Sequence, residues 1–397
     1  MQNKTQLRIK KRRNPIIYTD FVIVTRDYSL LMYSAYIDKR DTFVRVIGVI
    51  RKDVKDVKCL LYYNNSTNRE TVKARIKLLP EDHKVEHTAA FILCPIRTVI
   101  EPDKVTLVIP DFKTNLYPAP ITIQKTRQRV WQYKYTLCVS PVHSNYNNRL
   151  KLIEWIEMNL LLGADNIIFY VQNVSESVML VLRYYELFGV VTVYHWTLPV
   201  FFTDLHDRHL HYFGQVAAVN DCVYKAKYVS EYVTTFDLDE FIIPQLRHHW
   251  SWADMMATVP KRSVYMFLCN FFHENPRCQA INCTDKLSLS TFIIKDNIVL
   301  PPRKRSKYIA RSNDIIMAGI HQIWNTTSGR VNYVVNPRVG LLHHYRQNKK
   351  VYTTEHVTSS RSHVTLKYFH QIKERVRDVE KYLQPFLGDV YSNIELV

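Results

Sequence analysis

Two rhythms of apolar and polar positions divide the chain. Residues 21–24, 30–37, 43–50, 57–63, 71–78, 89–96 and 104–109 are short runs rich in β-branched and aromatic residues, with polar, Asn-, Asp- or Pro-containing breaks between them. Short strands at such regular spacing predict a sandwich-like all-β unit. Beyond a break at 118–129, strand and helix patterns alternate. Residues 136–140, 166–171, 190–195 and 232–236 read as strands. Residues 148–162 carry Leu152, Ile153, Ile156 and Leu160 at helical spacing, and Gly163 follows as a cap. Residues 176–188 and 213–226 read as two more helices, the latter with Phe213, Val216, Val219, Cys222 and Val223 on its stripe. This alternation predicts an α/β sheet with right-handed crossovers, which gathers ligands at the carboxyl ends of its strands. The expected organisation is a basic tail over 1–15, a β-rich unit over 16–130 and an α/β unit over 131–397.

The last of those strands runs into Asp237-Leu238-Asp239-Glu240, and Phe241-Ile242-Ile243-Pro244 follows. Continued strand alternation would aim Asp237 and Asp239 to one side and Leu238 to the other. A solvated acidic turn is the ordinary reading of such a triplet. Between two apolar runs, however, like charges so close together are costly unless a cation compensates them. A hard divalent ion suits two such carboxylates and leaves coordination sites for a phosphate. No Walker A or GxGxxG pattern accompanies the strand ends, which argues against P-loop NTPases and dinucleotide oxidoreductases. A phosphate-bearing ligand would then be held by metal and cationic side chains, as in nucleotide-sugar chemistry.

Composition narrows this further. The 397 residues carry a net charge of +18, which favours anionic partners, but no nucleic-acid-binding module accompanies the clusters at 10–13 and 303–305. No nucleic-acid partner is therefore expected. The seven cysteines include no CxxC pair, so a structural zinc site of that type is not expected. Cys269, Cys278 and Cys283 fall close enough together to suggest disulfide pairing, the alternative being small buried thiols. Sequons at Asn3, Asn64, Asn65, Asn173, Asn282 and Asn325 tilt towards a secretory lumen. No signal peptide or membrane span is legible, so membrane association is expected only through a segment this sequence does not carry.

The succession Cys138-Val139-Ser140-Pro141, then 152–157, then 162–170, then Gly214-Gln215-Val216 onward and Phe236-Asp237-Leu238-Asp239-Glu240-Phe241 resembles glycosyltransferase family 92. So do Ser306-Lys307-Tyr308-Ile309, Gly319-Ile320-His321 and Leu342-His343-His344-Tyr345-Arg346. The resemblance implies a GT-A-like, Rossmann-type mixed sheet flanked by helices, preceded by the smaller β-sandwich-like unit. It also implies transfer of a hexose from a UDP-sugar donor, with galactose onto core fucose of an N-glycan or glycoprotein acceptor as the type reaction. Inversion, Mn²⁺ and a Golgi-lumenal type II membrane setting come with it.

Under that resemblance Asp237, Asp239 and His344 would hold the cation, with His343 able to replace His344. Glu240 would either support the ligands or cap the following segment. Lys307, Tyr345 and Arg346 are candidate diphosphate or nucleotide contacts, although each could equally be ordinary structure or surface. His321 is a candidate substrate contact or a core histidine. Arg149, Gln215 and Asp221 would line the nucleotide pocket or face solvent. An inverting transfer needs a carboxylate base, for which Glu274 and then Asp314 are the candidates. The competing reading is a carbohydrate-binding protein that keeps the fold without turnover.

Overall fold

The computed structural model describes residues 20–37, 42–64, 69–81, 83–110, 118–125, 130–203, 209–227, 229–274, 287–329, 332–346 and 358–392. The basic tail, Cys278 and Cys283 lie outside them. The N-terminal strands are β1 (Val22–Ile23), β2 (Leu30–Ile37), β3 (Phe43–Arg51), β4 (Lys58–Tyr62), β5 (Arg69–Lys73), β6 (Arg75–Leu78), β7 (His87–Pro95), β8 (Lys104–Val108) and β9 (Ile121–Lys125). They form one path, β5-β4-β8-β9-β2-β3-β7-β6, with β1 beside β2. The sheet curls on itself, so that Met32, Val44 and Ile92 from one half share a core with Leu61, Val72 and Leu107 from the other. A disulfide from Cys59 in β4 to Cys94 in β7 crosses that core.

The α/β part begins with β10 (Tyr133–Val139), α1 (Arg149–Leu162), β11 (Asn166–Val171), α2 (Glu176–Leu187), β12 (Val191–His195), α3 (Gln215–Ala226) and β13 (Ser230–Phe236). Asn148 caps α1 by accepting from the Lys151 N–H, and Gly163 ends it at φ 114°. That left-handed conformation is where glycine is favoured. Strands β12, β11, β10 and β13 are parallel neighbours, and antiparallel β18 (Lys307–Arg311) joins β13 to β15 (Val264–Phe267) and β21 (Tyr333–Val334), which run in the original direction. A second sheet runs β14 (Glu240–Pro244), β22 (Gly340–Arg346), β16 (Cys269–His273), β17 (Ile294–Asp296) and β23 (Ser359–Arg361). A hairpin, β19 (Ile315–Ala318) with β20 (Ile323–Thr326), and the long helix α4 (Phe369–Ser392) complete the described elements labelled here.

Strand β2 is buried along its whole length because both of its faces are covered. Leu30 and Met32 face the sandwich core, while Leu31, Tyr33 and Tyr36 pack with Ala217, Ala218 and Tyr224 of α3. The two parts of the chain thus share a hydrophobic cluster. Asp221 of α3 joins them through polar contacts, accepting from Tyr36 at 2.6 Å, Tyr170 at 2.5 Å and Lys225 at 2.6 Å.

Two expectations change here. Phe213 does not belong to the third helix: Tyr212 and Phe213 take left-handed φ values of 42° and 51°, and α3 starts at Gln215. Cys269 is a buried free thiol rather than a disulfide partner, whereas Cys138 in β10 bonds Cys222 in α3. Chain spacing hid that bond because its partners are 84 residues apart. Closing so long a loop restricts the unfolded chain, and the double substitution Cys138→Ser/Cys222→Ser is expected to cost about 4 kcal/mol. Denaturant midpoints measured with and without the bond check this.

Candidate active site

The acidic motif sits at the carboxyl end of β13, but the strand stops at Phe236. Residues 237–239 form a tight turn in which the Glu240 N–H donates to the Asp237 carbonyl at 3.1 Å. Strand alternation therefore does not aim the two aspartates, because the chain must reverse at once into β14. The Trp155 indole props the turn, donating towards the carbonyls of Asp237 at 3.1 Å and Glu240 at 3.2 Å.

Asp237 is committed to protein partners. Its Oδ1 accepts from Ser140 at 2.7 Å and Gln215 at 3.3 Å, and its Oδ2 meets Lys307 Nζ at 3.3 Å. Ser140 lies one residue beyond the parallel pair Val139–Phe236, so two adjacent strand ends meet at this carboxylate. Burial would raise the Asp237 carboxyl, but the Lys307 ammonium and the Ser140 hydrogen bond outweigh it and hold the group below its usual range. Lys307 itself is wholly buried and bridges to Glu240 at 3.0 Å. It lies beneath the carboxylates as their counter-ion, rather than as the surface charge that is the alternative to a diphosphate contact.

Asp239 is half exposed, and its Oδ2 lies 3.2 Å from His344 Nε2. His344 Nδ1 lies 3.2 Å from Glu240 Oε1. Register explains the grouping, since Glu240 of β14 is directly opposite His344 of β22. Glu240 lies beside His344, and its carboxylate accepts from the Asp237 N–H at 3.0 Å, which closes the turn before it rather than capping the segment after it. His343 points away and stacks on Phe272 at 3.9 Å. Phe271 lies 5.2 Å from the His344 ring and beneath the guanidinium of Arg346 at 4.0 Å, with Arg305 on the same ring at 6.0 Å. Tyr345 lines a small hollow beside Asp239 with Lys151 and Phe292. Glu274 follows β16, and its charge acts on Lys151 together with those of Glu154 and Asp239.

A larger cleft of about 340 Å³ opens near His321, lined also by Glu81, His83, Arg303, Gln322 and Trp324. Glu81 comes from the N-terminal part, and no local pattern in the sequence singled it out. Its oxygens accept from the Ile320 N–H at 2.8 Å and Trp324 Nε1 at 3.2 Å, while burial pushes its carboxyl up. Burial, with the Lys307 charge adding to it, pushes the His321 imidazole down from 6.5 to about 4. The unfolded chain therefore binds the proton more readily, so the stability tied to neutral His321 is present above 6.5 and lost as pH falls towards 4. Thermal melts at about pH 7.5 and 5.0 should show a larger acid loss for wild type than for His321→Gln. Equal losses would mean that His321 is not held neutral.

Three expected site residues are not brought to the turn. Arg149 forms a two-bond bridge to Glu380 of α4, at 3.1 and 3.2 Å. Asp221 is the buried junction between the two parts of the chain, neither lining a pocket nor facing solvent. Asp314 follows β18, beside Ser312, which donates to the Ser230 carbonyl at the start of β13. A seven-residue strand separates it from Asp237, roughly 20 Å.

The profile of Glycosyltransferase family 92 matches residues 133–380. The chain belongs to that family. Its family 92 region takes in Asp237, Asp239, Lys307 and His344, and Glu81 lies outside it. The chain is 24% identical over 235 residues to Beta-1,4-galactosyltransferase galt-1 of Caenorhabditis elegans, covering 56% of this chain and 53% of that protein. It is 22% identical over 354 residues to Galactan beta-1,4-galactosyltransferase GALS2 of Arabidopsis thaliana, covering 77% and 64%. It thus spans less than two thirds of either relative's length. A glucosyl-3-phosphoglycerate synthase from Mycobacterium tuberculosis, solved with Mn²⁺, UDP and glucosyl-3-phosphoglycerate, aligns at TM-score 0.28 and 12% identity, covering 64% of this chain and 79% of that one. So loose a superposition supports no functional argument. No helix among the described residues is long and apolar enough to cross a membrane.

Proposed function

We propose that this protein is a divalent-metal-dependent, inverting hexosyltransferase that moves galactose from UDP-galactose to a glycan hydroxyl such as that of core fucose. The observation that carries this reading is the approach of Asp239 Oδ2 to His344 Nε2 at 3.2 Å, with the Glu240 carboxylate 3.2 Å from the far imidazole nitrogen although not in hydrogen-bonding alignment with it. A carboxylate behind a histidine is the arrangement that orients an imidazole towards a metal. The two donor atoms are close enough to share one ion, so the residues fit Mn²⁺. Asp237 would support the turn rather than supply a ligand atom, since both of its oxygens already have partners. When bound, the ion offsets the charge that builds on the departing diphosphate.

The chain's own residues do the remainder. Arg346 and Arg305, gathered over Phe271, would bind the diphosphate, and Tyr345 would line the donor side. The acceptor would enter the 340 Å³ cleft, where Trp324 offers an aromatic face and Glu81 a carboxylate. With its proton affinity raised by burial, Glu81 suits the task of taking the acceptor proton. It is favoured over Glu274, which lies on the side of the smaller hollow. The buried disulfides, together with the exposed sequon residues Asn64, Asn173 and Asn325, fit an oxidising lumen such as the Golgi.

Calorimetry with UDP and UDP-galactose, with and without Mn²⁺, tests the reading. Binding should require the ion and disappear in Asp239→Ala. Absence of binding in both conditions by folded protein would sink it. Glu81→Gln should keep donor binding while losing transfer.

A further inference from the structure

A second cluster of metal-binding side chains lies away from the acidic turn, where β7 meets the segment leading into α3. Glu86, His87 and His209 each place a ligand atom within 4.8 Å of the others. Glu86 Oε2 is 3.1 Å from His209 Nδ1 and 3.8 Å from His87 Nδ1. Ligands at about 2.0–2.1 Å from a tetrahedral ion stand about 3.3 Å apart, so these separations bracket the edge such a site requires. We propose that the three residues form a zinc-class site that fastens the N-terminal sheet to the 209–215 segment.

The simplest alternative is a surface ion pair between Glu86 and His209, and His87 is what that alternative fails to explain. Its side chain is 1% exposed, and beyond a marginal approach to the Tyr28 backbone neither ring nitrogen has a hydrogen-bond partner. Leaving both nitrogens of a buried imidazole unsatisfied is costly, and an ion would satisfy one of them. The surroundings already orient the ligands. The His87 N–H donates to the His209 carbonyl at 3.0 Å, which locks the two backbones together. His209 stacks on Phe201 at 4.0 Å, and His87 meets Phe202 edge-on at 5.0 Å. Two imidazoles and one carboxylate suit a borderline ion such as Zn²⁺, whereas the all-oxygen surroundings preferred by Mg²⁺ or Ca²⁺ are missing here. Glu86 is exposed, which leaves room for water in the remaining position.

The site has a structural use. Three and four residues after His209 the chain passes through Tyr212 and Phe213, both left-handed, and then reaches Gln215, which donates to Asp237. Bulky residues adopt that conformation only when their surroundings impose it. A metal at His209 would fix the start of this segment, as the Gln215 contact fixes its end.

Chelator-stripped full-length protein should be titrated with Zn²⁺ against a chromophoric competitor. Wild type is expected to bind one ion at this site, with Glu86→Gln and His209→Ala each at least about tenfold weaker. Asp239→Ala should leave this binding intact. Co²⁺ added to Asp239→Ala, which lacks the acidic-turn site, should give the intense visible absorption of four- or five-coordination. Equal zinc affinity in wild type, Glu86→Gln and His209→Ala would overturn the proposal, as would loss confined to Asp239→Ala. A weak, six-coordinate Co²⁺ spectrum in Asp239→Ala would overturn it as well.

Discussion

Asp239→Ala is expected to lower kcat by about 10³-fold, since metal stabilisation of developing charge is worth several kcal/mol. The substitution should leave the melting temperature nearly unchanged. Asp239 is half exposed, and its carboxylate pairs only with His344 among the described ion pairs, so little of the fold depends on it. Its backbone carbonyl accepts the Tyr345 N–H at 2.8 Å, a bond that alanine retains. His344→Ala should give the same loss of metal-dependent UDP binding. If both residues act through one ion, the double variant should be little worse than either single one, because the second substitution removes a partner already idle. Asp237→Asn should behave differently, weakening the fold as well as the reaction, since its charge faces Lys307. Turnover, calorimetric UDP binding and melting curves on the four variants separate these outcomes. Full activity in Asp239→Ala would remove the metal from the mechanism.

What the sequence made legible is what short-range periodicity encodes. The helical stripes of α1 and α2, the Gly163 cap and the alternation that places the acidic motif at a strand end were all readable. The polar contacts that build the site are long-range and carry no period. Ser140 reaches Asp237 across 97 residues, Tyr36 reaches Asp221 across 185, and Arg149 reaches Glu380 across 231. Asp221 and Arg149 therefore read as pocket or solvent-facing residues, because a polar residue on a helix does not announce whether its partner is a ligand, water or another part of the fold. The same blindness hid Glu81, which joins the cleft only because the N-terminal sheet packs on α3. It also misplaced Asp314, since only the antiparallel direction of β18 reveals that Lys307 lies at the site end and Asp314 at the other. The turn at 237–239 escaped for a different reason. Strand propensity on both sides favours continuation, and the reversal is fixed by Trp155 and Glu240, whose partners become visible only in three dimensions.

Lys307→Met should destabilise the protein by about 3–5 kcal/mol, the usual cost of removing one member of a buried charge cluster. Its side chain is wholly buried and lies 3.0 Å from Glu240 and 3.3 Å from Asp237. Removing the ammonium would leave the buried Glu240 carboxylate and the partly exposed Asp237 carboxylate without their shared counter-ion. Burial opposes the charged ammonium, but the attraction of Asp237 and Glu240 prevails and raises its proton affinity. Neutralising Glu240 as well should restore part of the loss, so Lys307→Met/Glu240→Gln is expected to be more stable than Lys307→Met alone. Denaturant midpoints of the two variants measure this directly. A loss below about 1 kcal/mol would mean that water or an ion already screens the carboxylates. Bound divalent ion should narrow the gap between wild type and Lys307→Met, because it supplies positive charge to the same carboxylate turn from the open side. A fixed cation below and an exchangeable one above would then share the task of keeping three acidic residues together at the end of one strand.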